Sequence, residues 1–126
     1  MNKKQLLIVD DSPVIISRLK GMLVDLPGVQ SIRVAGTFAD AITWLSATPS
    51  PDIILLDINL PDRNGIELLR YIRQHQPGVV VIMISNQSSV FYRDLCLRLG
   101  AIRYIDKSTE FEAIPTLISS ILQDGL

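Results

Sequence analysis

Two short apolar runs in this chain end in carboxylates: Leu6-Leu7-Ile8-Val9 runs into Asp10-Asp11, and Ile53-Ile54-Leu55-Leu56 runs into Asp57. A run that is apolar at every position, with no in–out alternation, fits a strand covered on both faces of a parallel sheet. Such sheets bind ligands at the carboxyl edge of their strands. Asp10, Asp11 and Asp57 are therefore expected to meet in one crevice. Carboxylates that close repel unless a cation lies among them, and an all-oxygen donor set suits a hard ion such as Mg2+.

With 126 residues and 48% apolar content, one domain spanning 1–126 has enough core to fold alone. The formal net charge of -1 comes from interspersed charges with no basic run, so direct nucleic-acid binding by this chain is not expected. The apolar stretch behind Lys3 and Lys4 is broken at Asp10, too soon for a signal peptide or a membrane span. Cys96, the only cysteine, has no disulfide partner in the chain and no zinc-ligand companion, which suits a reducing compartment and a cytoplasmic location.

Short apolar runs alternate with segments of helical period. The first strand is placed near Gln5 to Asp10, followed by a helix from Pro13 to Leu26 with Ile15, Leu19, Met22, Leu23 and Leu26 on one stripe. A second strand falls over Ser31 to Thr37. The second helix runs from Phe38 to Thr48, with Phe38, Ile42 and Leu45 inward. The third strand spans Asp52 to Asp57, and a polar loop, Asn59 to Asn64, leads into a helix over Gly65 to His75. Val79 to Ile84 reads as a central strand, Ser89 to Leu99 as the fourth helix closed by Gly100, and Ile102 to Asp106 as the fifth strand. Pro115 sets the start of the main last helix, which carries Ile114, Leu117, Ile118, Ile121 and Leu122 inward, with Thr109 and Glu112 as candidate caps of a short preceding turn. The pattern is five βα units, with no internal repeat.

Val9-Asp10-Asp11-Ser12, Leu56-Asp57-Ile58-Asn59-Leu60-Pro61-Asp62, Asn64-Gly65, Ser85 and Tyr104-Ile105-Asp106-Lys107 together resemble a response-regulator receiver domain, over essentially the whole chain. The resemblance implies an α/β, doubly wound, flavodoxin-like fold: a five-stranded parallel sheet of order 2-1-3-4-5 with five helices. It makes Asp57 the acceptor of a phosphoryl group from a phosphohistidine on a sensor histidine kinase or a histidine phosphotransfer protein. It assigns Mg2+ to Asp11, Asp57 and the backbone carbonyl of Asn59, with Asp10 acting through a bound water. Lys107 and the Ser85 hydroxyl are assigned to the phosphoryl oxygens, with Tyr104 turning from exposed to buried behind Ser85. Three carboxylates balance Mg2+ and Lys107, and an acyl phosphate of about -2 tips that balance. The face of the fourth helix, fifth strand and fifth helix is then expected to change shape for a downstream protein target or for a homodimer.

Three departures from the common receiver pattern stand out. Ser108 follows the lysine where a proline, often joined by a cis peptide, is usual; a trans bond is expected here, since cis to serine costs about 2.5–4 kcal/mol. Asn86 replaces a smaller residue beside Ser85, and with Asn59 and Gln87 it flanks the opening through which water reaches the phosphoryl group. Ser108 to Glu112 reshapes the output face.

Each assignment has a plainer competitor. Asp10 and Asp11 also suit helix capping, Asp57 and Lys107 an ordinary ion pair, Ser85 a turn, and Tyr104 a half-buried strand aromatic. His75 reads as solvated, Phe91, Leu95 and Leu99 as core, and Trp44 and Cys96 carry no site signal. The leading reading is a stand-alone phosphoacceptor switch and not a turnover enzyme. Its nearest competitor is the receiver portion of a DNA-binding response regulator. A haloacid-dehalogenase-like phosphohydrolase needs a second Asp where Asn59 stands, and an FMN-binding flavodoxin-like module needs a phosphate cradle where this chain has two acids.

Overall fold

The computed structural model describes residues 3–86 and 89–124. It is built from β1 (Lys4–Val9), α1 (Pro13–Leu23), β2 (Val29–Ala35), α2 (Phe38–Leu45), β3 (Ile53–Asp57), α3 (Gly65–His75), β4 (Val80–Ser85), α4 (Val90–Arg98), β5 (Arg103–Asp106), a 3₁₀ turn (Phe111–Ala113) and α5 (Ile114–Asp124). The strands form one five-stranded sheet in the order β2-β1-β3-β4-β5. Its pairings are parallel, with Val9 opposite Leu56 and Asp57 opposite Ile84. The sheet order and class match those expected from the sequence.

The uninterrupted apolar runs are explained by two cores, one on each face. Leu7, Val9, Ile54, Leu56, Val81, Met83 and Tyr104 face α2, α3 and α4. Leu6, Ile8, Ile53, Leu55, Ile82, Ile84 and Ile105 face α1 and α5. Alternate residues of one strand thus enter opposite cores, so every position is buried.

Several helix ends fall inside the expected ranges. α1 stops at Leu23 instead of Leu26, because Pro27 disfavours helical backbone at Leu26, whose N–H instead closes a turn on the Leu23 carbonyl at 3.2 Å. α2 stops at Leu45 instead of Thr48; the Ser46 N–H tightens the last turn, and Gln76 Nε2 reaches from beyond α3 to the Leu45 carbonyl at 2.6 Å. β2 begins at Val29 and ends at Ala35, two residues earlier at each end than the sequence suggested. No side-chain cap forms at the 3₁₀ turn, and Glu112 pairs with Arg18 instead.

Phe91 departs from its expected core position, being 64% exposed, while Leu95 and Leu99 pack partly buried against the core. The face of α4 that packs on the core carries Tyr92, Leu95, Cys96 and Leu99, at i, i+3, i+4 and i+7, and Phe91 lies one position off it. Among the described residues no helix is long and apolar enough to cross a membrane.

Candidate functional site

Parallel pairing aligns the carboxyl ends of β1, β3, β4 and β5, and the acids follow directly. Asp10, one residue past β1, is fully buried; its Oδ1 accepts the Ser12 N–H at 2.8 Å. That bond shapes the turn into α1, but the cap of the helix is Ser12, whose Oγ accepts the Ile15 N–H. The carboxylates are therefore not spent on capping. Asp11 is exposed at the rim. Asp57 is the last residue of β3 and 5% exposed; its Oδ1 accepts the Asn59 N–H at 3.2 Å.

Lys107 closes the site from beyond β5, where its N–H donates to the Ser85 carbonyl at 2.8 Å. Its Nζ lies 3.1 Å from Asp57 Oδ2 and 2.8 Å from Asp10 Oδ2. Burial works against the Lys107 charge, but the close ion pair with Asp10 and the charge of Asp57 outweigh it and move the ammonium pKa up. Burial pushes the Asp57 carboxyl above the usual carboxylate range; Lys107 opposes this and Asp10 adds to it. One ammonium therefore serves two buried carboxylates, more than an ordinary ion pair.

One oxygen from each of Asp10, Asp11 and Asp57 lies within 4.8 Å of the others. Asp10 Oδ2 is buried without a well-directed hydrogen bond, despite the nearby ammonium. A compact set of carboxylate oxygens with an acceptor to spare has the chemistry of a hard divalent cation site.

The flanking residues fall around this centre. Ser85, the last residue of β4, is fully buried. Tyr104 is 2% exposed, so it already occupies a buried position in this structure. Burial raises its phenol pKa, and the hydrogen bond with Ser85 opposes the rise. Asn59 and Asn86 are exposed at the opening; Gln87 lies outside the described residues. The one cis peptide among the described residues joins Thr48 to Pro49, so Lys107–Ser108 is trans, as expected.

Three residues that the sequence motifs include without a role contribute to the site. A Cβ at Gly65 would collide with the Asp57 carbonyl oxygen, so the glycine lets α3 abut the end of β3; its place in the Asn64-Gly65 pair was the available signal. Asp62 accepts the Phe38 and Ala39 N–H groups at 2.8 and 3.1 Å, tying the β3–α3 loop to the start of α2. Asp106, 4% exposed, accepts both the N–H and the hydroxyl of Ser108 at 2.8 and 2.6 Å.

The chain matches the family model described as the response regulator receiver domain over residues 6–119. It belongs to that family. The receiver is 38% identical over 113 residues to the transcriptional regulatory protein MalR of Bacillus subtilis, covering 90% of this chain and 48% of that protein. It is 33% identical over 108 residues to a protein-glutamate methylesterase/protein-glutamine glutaminase of Carboxydothermus hydrogenoformans, covering 85% of this chain and 30% of that one. The receiver thus spans about half or less of these relatives. Among solved structures, a CheY-like receiver domain protein from Methanospirillum hungatei superposes with a TM-score of 0.84 at 28% identity, covering 98% of this chain and 96% of that one. The response regulator domain of Thermotoga maritima CheB gives 0.82 at 26%, covering 98% and 96%. The chain is a receiver domain of the two-component class, with the five-stranded flavodoxin-like sheet that its sequence implied.

Proposed function

We propose that this receiver is a phosphoryl-accepting switch in which Asp57 takes the group from a phosphohistidine on a sensor kinase or a phosphotransfer protein. The observation that carries the reading is the placement of Lys107 between the buried Asp10 and Asp57 carboxylates, with Asp11 at the rim of the same cluster. In the transfer, an Asp57 oxygen forms a bond to phosphorus as the phosphorus–nitrogen bond to histidine breaks, giving an acyl phosphate on Asp57 and a free imidazole on the donor.

Asp11, Asp57 and the Asn59 carbonyl would hold Mg2+ directly, and Asp10 through water. Bound there, the ion would supply positive charge to offset that of the phosphoryl oxygens. The chain supplies the remainder as position and field. The Asn59 N–H orients Asp57 through Oδ1. Lys107 presents a fixed cation beside Oδ2, and the Ser85 hydroxyl is the further donor for phosphoryl oxygens. Asn86, Asn59 and Gln87 govern the approach of water and with it the lifetime of the mark.

The output is read by a downstream protein, or by a second copy, on the face of α4, β5 and α5. The receiver acts as an acceptor and not as a turnover enzyme, in a cytoplasmic setting. A second reading is favoured by the relatives' names: transcriptional regulators such as MalR are matched over about half their length. On that reading the receiver governs a DNA-binding segment while making no nucleic-acid contact itself.

Intact-mass measurement after incubation with Mg2+ and acetyl phosphate tests the function. A hydroxylamine-labile phosphoryl adduct, lost in Asp57→Ala and without metal, is the expected result. No adduct from either acetyl phosphate or a phosphohistidine donor overturns it.

A further inference from the structure

Lys107 reaches the site on a long flexible stem, and the segment that aims it is held from two sides by arginines. Arg93 of α4 pairs with Glu110 Oε1 at 3.0 Å, and that same oxygen accepts the Asp106 N–H at 3.0 Å. The Glu110 N–H in turn donates to the Asp106 carbonyl at 2.8 Å, so Asp106 and Glu110 bind each other reciprocally around Lys107. Arg93 Nη1 also donates to the Tyr104 carbonyl at 3.2 Å, and its guanidinium lies 5.3 Å from the Tyr104 ring centre. On the opposite side Arg18 of α1 pairs with Glu112 at 2.9 Å and covers the Phe111 ring at 4.3 Å. Phe111 itself is sunk in the α1–α5 core.

Between these anchors, Ser108 uses the N–H that a proline lacks to bond Asp106 Oδ1. The loop that a proline would stiffen is here fixed by polar bonds, and those bonds run outward to α4 through a single carboxylate. The Arg93 and Glu110 side chains are 40% and 39% exposed, so the pair adds little to global stability. Its consequence is geometric.

Resting on the phosphoacceptor reading above, we propose that Glu110 is a positioning residue for phosphoryl transfer: through the Asp106 amide it sets the approach of Lys107 to Asp57, and through Arg93 it ties that approach to α4. The charge state of the site and the placement of α4 are then mechanically joined at one residue.

The test compares wild type, Glu110→Ala, Glu110→Gln, Arg93→Met and the Glu110→Ala/Arg93→Met double variant, with Asp57→Ala as the reference for a dead acceptor. Adduct formation from acetyl phosphate at saturating Mg2+ is followed by intact mass, and the Mg2+ Kd and Tm are measured in parallel. Glu110→Ala is expected to slow adduct formation by about fivefold to tenfold, with the Mg2+ Kd within about twofold and Tm lowered by only a few degrees, as the loss of the Asp106 N–H bond requires. Glu110→Gln, which keeps an acceptor for the Asp106 N–H and for Arg93, restores the rate to within about twofold of wild type. The double variant is no slower than the slower single one, because both act through one connection.

A wild-type rate in Glu110→Ala overturns the proposal, as does a multiplicative loss in the double variant. So does a loss of rate matched by an equal loss of Mg2+ affinity or Tm, which marks a merely structural role. Absence of an adduct in wild type with every donor overturns the phosphoacceptor reading, and the positioning role falls with it; an adduct in wild type with no Glu110 effect overturns only the latter.

Discussion

Lys107 Nζ stands 3.1 Å from Asp57 Oδ2, although 50 residues separate the two in sequence. The contact depends on the sheet order, because β3 and β5 flank β4 and bring their carboxyl ends to one edge. The same ammonium is 2.8 Å from Asp10, beyond β1. Lys107 is thus the charge that lets two buried acids coexist.

Removing that charge should be costly. Lys107→Met leaves Asp10 and Asp57 buried without a cation and is expected to lower stability by about 3 kcal/mol in metal-free buffer. Urea unfolding at neutral pH measures the loss. Added Mg2+, binding only the folded state, is expected to recover part of it; no recovery would argue against a cation site here.

The raised Asp57 pKa gives a pH-dependent counterpart. A carboxyl whose folded pKa lies above its unfolded value of 3.8 contributes stability that is fully present below that unfolded value and is lost as pH rises through the folded value. The charged form is therefore a burden at neutral pH, and Asp57→Asn should raise metal-free stability there by about 1 kcal/mol. The advantage should shrink on acidification to below the unfolded pKa, which denaturation curves for both proteins at the two pH values will show. Protons also compete with the metal, so Mg2+ affinity in wild type should weaken as pH falls.

Gly65→Ala tests the junction of β3 with α3. The added methyl meets the Asp57 carbonyl and the backbone of Ile58, neither of which can swing aside like a side chain. A loss of about 2–3 kcal/mol is expected, with weaker Mg2+ binding because the displaced strand end carries Asp57. Unfolding and calorimetric titration of the one variant read both effects.

Ser108→Pro restores the residue more usual in the family and should not improve this protein. It deletes the N–H and hydroxyl bonds to the buried Asp106 carboxylate, at an expected cost of about 1–3 kcal/mol. A gain in Tm would show that those polar bonds are not what holds the loop.

Much of this molecule was legible in local pattern. Fully apolar runs announced buried parallel strands, since a strand covered on both faces has no polar side to show. The helical stripes of α1 and α5 predicted their inward faces, and acids at strand ends predicted the crevice. Phe91 misled because its four-residue spacing to Leu95 imitates a stripe, whereas the inward face of α4 begins one position later, at Tyr92. The ends of α1 and α2 misled because a helix can stop before its apolar pattern does, when a proline disfavours helical backbone at the residue before it or a side chain from another element bonds a carbonyl at its end. Leu45, held by Gln76, is such a case.

By itself, then, the sequence determined the strands, the βα alternation and the identity of the acids, because burial and periodicity are written residue by residue. Tertiary structure decided which charges share an atom. Lys107 bridges Asp10 as well as Asp57, and Glu110 joins Arg93 to the Asp106 amide. Those pairings follow from sheet order and loop path, and a difference of one ångström in either separates a bond from a miss; no local spacing encodes that distance.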